Sequence, residues 1–103
     1  MAELRGIHLA TLDKRRPVLV LTRHWGVQRL RRVVVAPITS TIRGGISEVA
    51  VGPANGLDHA SVINLDNTQL VRTDDLGPVI GYLLTSQEAA LTAAVIAAFD
   101  LEI

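Results

Sequence analysis

Arg15-Arg16-Pro17-Val18-Leu19-Val20-Leu21-Thr22 decides the fold of this chain. Val18 to Leu21 is an unbroken apolar run, too short for a buried helix and half β-branched, so it reads as a strand covered on both faces. Pro17 fixes the backbone where the strand begins, which leaves Arg15 and Arg16 at its mouth. Upstream, Ile7 to Leu12 alternates loosely between apolar and polar; downstream, Val33 to Thr39 is another buried-looking strand. Ile46 to Val51 reads as a half-exposed strand, stopped by Gly52-Pro53-Ala54-Asn55-Gly56. Ser61 to Asn64 and Val79 to Leu84 supply the last two strands, and the polar, basic stretch from His24 to Arg31 reads as an irregular loop or one helical turn.

The period changes after Leu84. Thr85-Ser86-Gln87-Glu88 has the S/T-x-x-E capping pattern, in which Thr85 is expected to cap the backbone and Glu88 to reach back to it. Leu91, Ala94, Val95, Ala98 and Phe99 then recur at helical spacing, which predicts a helix over Ser86 to Phe99. Five or six short strands and one terminal helix predict a mainly β fold, a small β-barrel, in a single domain over residues 1–103.

Composition narrows the function classes. With 49% hydrophobic and 19% charged residues in 103, the chain can build a core, and intrinsic disorder is excluded. A domain of this size hides only about 65% of its unfolded surface, so the apolar surplus points to a permanent partner, most simply a second copy. The absence of cysteine excludes disulfide scaffolds, Cys-based zinc sites and thiol nucleophiles, and fits a cytoplasmic protein. No signal pattern opens the sequence, and the uncharged stretch Ala89 to Phe99 falls short of the ~20 residues that span a bilayer, so no membrane role is expected.

A net charge of zero conceals a split: residues 1–47 carry nine Lys and Arg against two acids, and residues 48–103 carry one base against eight. The halves can neutralise each other, or the basic residues can share a face and bind phosphates. Several residues have the chemistry for a phosphodiester. Arg16, held beside a proline, can fork onto phosphate oxygens. Thr39-Ser40-Thr41, with Arg43 and the flexible Gly44-Gly45, offers hydroxyls and backbone amides at a strand end. Asp66, between Asn64 and Asn67, is either a turn carboxylate or a functional one, and Trp25 in its basic loop can stack on a base or plug the end of the barrel. His8, His24 and His59 lie at no metal-ligand spacing, so neither a metal nor a cofactor is expected.

These residues occur in an order that resembles the MazF/PemK (Kid) family of toxin endoribonucleases. The resemblance rests on Arg5-Gly6-Ile7, Arg16-Pro17-Val18-Leu19-Val20, Val35-Ala36-Pro37-Ile38-Thr39-Ser40, Ser61-Val62-Ile63-Asn64-Leu65-Asp66-Asn67 and the helix from Ser86. It implies an SH3-like barrel of the MazF/CcdB kind that forms a homodimer. It further implies metal-independent, sequence-specific cleavage of single-stranded RNA (mRNA, tRNA or rRNA), leaving 2′,3′-cyclic phosphate and 5′-hydroxyl ends, and an antitoxin whose acidic or apolar tail neutralises the toxin. Carried over by motif, Arg16, Thr39 and Asp66 are the catalytic positions. Lys14, Arg15, Trp25, Ser40, Thr41, Arg43, Ser61, Asn64 and Asn67 are expected to contact RNA, Asn64 standing where the Kid branch has a catalytic arginine. The general base is open between Asp66 and His8, and the short loop before Arg16 leaves the RNA preference open, structured RNA included. The alternative is a CcdB-like, non-enzymatic toxin with a protein target such as gyrase, although its terminal Trp-Gly-Ile is replaced here by Phe99-Asp100-Leu101-Glu102-Ile103.

Overall fold

A computed structural model describes residues 5–23 and 29–102. Seven strands, β1 (Gly6–Thr11), β2 (Arg15–Val20), β3 (Arg32–Thr39), β4 (Glu48–Val51), β5 (Ser61–Asn64), β6 (Gln69–Arg72) and β7 (Leu76–Tyr82), precede the helix α1 (Glu88–Phe99). The strands pair antiparallel in the order β4-β5-β3-β2-β1-β7, with β6 joined to β3.

β2 from Val18 to Val20 and β3 from Val35 to Ile38 are covered on both faces, as their apolar runs predict, whereas Val34 of β3 is exposed. Successive residues along a strand point to opposite faces. Leu19, Ala36 and Ile38 accordingly join one core with Ile7, Val49, Ile63, Leu65 and Leu83. Val18, Val20, Val33 and Val35 join a second core with Ala10. Burying a side chain such as Leu19, wholly inaccessible to solvent, contributes about 1.5–3 kcal/mol.

The mainly β fold with a C-terminal helix is as expected, but the sheet does not close into a barrel. Its ends, β4 and β7, share no ladder. The gap is bridged by the 3-10 turn Pro53–Asn55 that follows β4. There the buried Asn55 donates through Nδ2 to the Tyr82 carbonyl of β7 at 3.0 Å and to Gln87 Oε1 at 2.7 Å, while its Oδ1 accepts from the Gly52 amide at 3.1 Å. Gly56, in the left-handed region with φ of 85°, and Gly81 let the two backbones touch: a Cβ on Gly81 would run into the Asn55 carbonyl. One amide side chain thus links the open end of the sheet to β7.

Two strands differ from expectation because their sequences hide them. β6 has no apolar run, since Gln69, Leu70 and Arg72 all face solvent and only Val71 packs inward. β7 begins at Leu76 and passes through Gly77, Pro78 and Gly81, residues that read as breakers but are tolerated on an edge strand. The helix starts two residues later than expected, after a 3-10 turn over Thr85–Gln87. Its predicted cap is replaced. Gln87 Oε1 accepts from the Leu84 amide at 2.9 Å, and Glu88 instead pairs with Arg5 Nε at 3.2 Å, tying the two halves of the charge split together. Leu91 and Ala94 are buried and Val95 and Ala98 pack against them, whereas Phe99 is exposed.

Candidate functional site

β3 changes partners along its length, pairing with β6 through Val35 and with β5 from Ile38. Between them Ala36 and Pro37 have no neighbour on that edge, a position suited to a proline with no N–H to donate. The 3-10 turn Leu65–Asn67, which links β5 to β6, spans this gap. The result is a hollow of about 470 Å³ lined by Arg16, Pro37, Thr39, Arg43, Asn64, Asp66 and other residues.

Register brings the two motif residues together. Val18 of β2 lies opposite Pro37 of β3. Continued by two residues, this antiparallel register sets Arg16 opposite Thr39 on the same face. Both line the 470 Å³ hollow and a second one of about 250 Å³. The Arg16 guanidinium donates to Asp13 Oδ2 at 3.0 Å, and its buried Nε has no partner. Such an orphaned donor is unfavourable. Thr39 Oγ1 accepts from the Thr41 amide at 3.1 Å. That bond occupies a lone pair and leaves the hydroxyl proton available.

Asp66 is fixed from three directions. Its Oδ2 accepts from the buried Ser47 hydroxyl at 2.6 Å, its backbone amide donates to Asn64 Oδ1 at 2.9 Å, and the neighbouring Leu65 amide donates to the Ser47 carbonyl at 3.0 Å. Asn67 lines both this hollow and an adjoining one that includes Asp13, Arg16 and Asp66. Two carboxylates, Asp13 and Asp66, therefore stand beside Arg16. Asp13 was not singled out from sequence; its signal was its place three residues before Arg16.

The remaining candidates divide. Thr41 and Arg43 line the main hollow, while Lys14, Ser40 and Ser61 line the smaller one, where the Ser61 hydroxyl is engaged by the His59 carbonyl at 3.1 Å. Arg15 points elsewhere: its guanidinium is next to Gly77 of β7, and it lines none of these hollows. His8 Nδ1 donates to the Gly77 carbonyl, 3.0 Å away, and the ring lines none of them either. Trp25 and His24 lie outside the described residues.

Two expectations are corrected. The backbone amides near Gly44 are not open to a ligand, because Glu48 accepts from the Gly44 amide at 2.8 Å and from the Arg43 amide at 3.3 Å. Nor do the basic residues share one groove: Arg29, Arg31 and Arg32 line a separate hollow with Arg72. Among the described residues no three His, Asp or Glu side chains converge as a metal site. The main hollow thus mixes two guanidinium groups with carboxylates and hydroxyls, which suits a ligand that carries negative charge and exchanges protons.

Residues 6–99 match the family described as PemK-like, MazF-like toxin of type II toxin-antitoxin system. Over 99 residues, 96% of each chain, the sequence is 54% identical to endoribonuclease MazF3 of Mycobacterium tuberculosis (strain CDC 1551 / Oshkosh). It is 40% identical to the probable endoribonuclease MazF5 of Mycobacterium tuberculosis (strain ATCC 25618 / H37Rv) over 87 residues, 84% of this chain and 80% of that one. Among solved structures it superposes on the Mycobacterium tuberculosis toxin MazF-mt6 with a TM-score of 0.94 at 55% identity, covering 96% of this chain and all of that one. It also superposes on a mycobacterial endoribonuclease in complex with its cognate antitoxin, with a TM-score of 0.85 at 27% identity and 99% coverage of both.

Proposed function

The chain belongs to the PemK-like, MazF-like toxins of type II toxin-antitoxin systems and is a MazF endoribonuclease; on that premise we propose that it cuts RNA at the Arg16–Thr39 hollow by attack of a ribose 2′-oxygen on the adjacent phosphorus. The 2′-oxygen to phosphorus bond forms as the bond to the 5′-oxygen breaks, giving a 2′,3′-cyclic phosphate and a 5′-hydroxyl. Three needs follow: a base for the 2′ proton, a proton for the leaving 5′-oxygen, and stabilisation of charge on the phosphoryl oxygens.

Arginine holds its proton too tightly to exchange it and is suited to the third task. Arg16 would bind the phosphoryl oxygens through its guanidinium, and Thr39 would donate its hydroxyl proton to the same oxygens. The base would be a carboxylate at the hollow, Asp66 or Asp13, and the proton it takes from the 2′-oxygen would pass on to the leaving 5′-oxygen. Ser40, Thr41, Arg43, Ser61, Asn64, Asn67 and Lys14 would position flanking nucleotides. The observation that carries this reading is the shared lining of one hollow by Arg16, Thr39 and Asp66.

The proposal extends to metal-independent, sequence-specific cleavage, to a cytoplasmic setting, to a homodimer, and to an antitoxin that blocks the toxin with an acidic or apolar tail. Exposed Leu70, Phe99 and Leu101 supply apolar surface for such associations. Among the described residues no helix is long and apolar enough to cross a membrane. The test is incubation of purified protein with mixed RNA, with and without EDTA, followed by mapping of the ends. Fragments with 5′-hydroxyl and cyclic phosphate ends, formed equally in EDTA, are expected; 5′-phosphate ends or loss of cleavage in EDTA would overturn the mechanism.

A further inference from the structure

Arg29, Arg31, Arg32, Arg72, Thr73 and one carboxylate, Asp74, line a hollow of about 560 Å³ distinct from the Arg16 site. Arg32 and Arg72 are directly opposite each other across β3 and β6. Like charges so placed are destabilising. The only carboxylate ion-paired with this cluster among the described residues is Asp74, 3.9 Å from Arg72 and almost fully exposed, which offsets little. The arrangement is also rigid. Thr73 donates its amide to the Arg31 carbonyl and its hydroxyl to the Leu30 carbonyl, both at 2.7 Å, locking the arginine segment to the end of β6.

In a chain of zero net charge, four arginines around one hollow concentrate positive charge that a polyanion would offset. Each guanidinium presents a planar fork of donors that matches phosphate oxygens. We propose that this hollow is a second RNA site, gripping the phosphate backbone several nucleotides away from the cut. The inference rests on the nuclease reading for the identity of the polyanion. Arg32 and Thr39 stand at opposite ends of β3, seven steps or about 23 Å apart at ~3.3 Å per residue. With stacked nucleotides roughly 3.4 Å apart along a strand, that is about seven nucleotides. A stacked 6-mer centred on the Arg16 hollow therefore falls short of the second site, and a 25-mer reaches it.

The test compares 6- and 25-nucleotide RNAs made with 2′-O-methyl riboses, which bind without supplying the attacking hydroxyl. Kd is measured by fluorescence anisotropy against salt for the wild-type chain and for Arg32→Gln/Arg72→Gln. We expect the 25-mer Kd to rise about tenfold and its log-log salt slope to flatten by about 1.4, since each phosphate contact to a single strand contributes ~0.7. The 6-mer Kd should stay within twofold. Should the double variant fold poorly, Arg29→Gln/Arg31→Gln, outside the strands, is expected to give the same pattern. An unchanged 25-mer Kd, an equal loss for both lengths, or lost binding of a polyglutamate peptide with RNA binding intact each overturns the proposal, the last by making the occupant an acidic protein segment. Cleavage of unmodified RNA by the wild type is scored separately. Its absence beside a length-dependent Kd effect would sink the nuclease reading and leave the second site standing.

Discussion

Replacing Arg16 by alanine separates catalysis from folding. Its structural contribution is small for two reasons. The pair with Asp13 at 3.0 Å has a partner that is 72% exposed, so it contributes no more than about 1 kcal/mol. Truncation also removes the unpartnered buried Nε, which offsets part of that loss. At about 4–8 °C per kcal/mol for a domain of this size, the melting temperature should fall by no more than a few degrees. Losing a donor aimed at charge that develops in the transition state costs about 2.7–4 kcal/mol, a fall in kcat of ~10²–10³-fold. Arg16→Lys keeps the charge but not the fork, and should lie between the two. The assay is initial-rate cleavage of a fluorogenic RNA, read beside a melting curve and RNA binding, which should stay within tenfold. Wild-type rates in the alanine variant would refute the assignment. A loss of rate tracking a melting drop beyond ~10 °C would make Arg16 structural.

Thr39→Val removes the donated hydroxyl and should slow cleavage ~10²-fold with little change in KM, measured in the same assay. Asp66→Asn and Asp13→Asn each neutralise a carboxylate beside Arg16; the one that serves as base should lose ~10²–10⁴-fold in rate, and full activity in both would end the carboxylate-base idea. Asn55→Ala deletes the buried side chain that bonds Gly52, Tyr82 and Gln87, and should destabilise by about 2–4 kcal/mol, seen as a lower denaturant midpoint with an unchanged slope. Gly81→Ala should destabilise too, because the added methyl meets the Asn55 carbonyl, and a melting temperature equal to wild type would contradict the close approach of β7 and the 53–55 turn.

What local sequence could settle was what depends on near neighbours along the chain. The runs at Val18–Leu21 and Val33–Thr39 read as strands from their length and β-branched content, and all but Leu21, Val34 and Thr39 of them are buried; the stripe from Leu91 read as a helix from its period. Arg16, Thr39 and Asp66 could be nominated through the motifs that carry them. That they share a hollow was beyond the sequence, since it depends on the β2–β3 register and on the 65–67 turn filling the gap where β3 exchanges β6 for β5. Tertiary structure alone also decided that Asn55 ties the 53–55 turn to β7 where the sheet stays open, that Gln87 caps the 3-10 turn ahead of the helix, and that one basic run feeds two separate hollows. The physical reason is common to all of these. Period and propensity are local properties of a chain, whereas hydrogen bonds and charge clusters between distant residues exist only once strands have chosen partners and register.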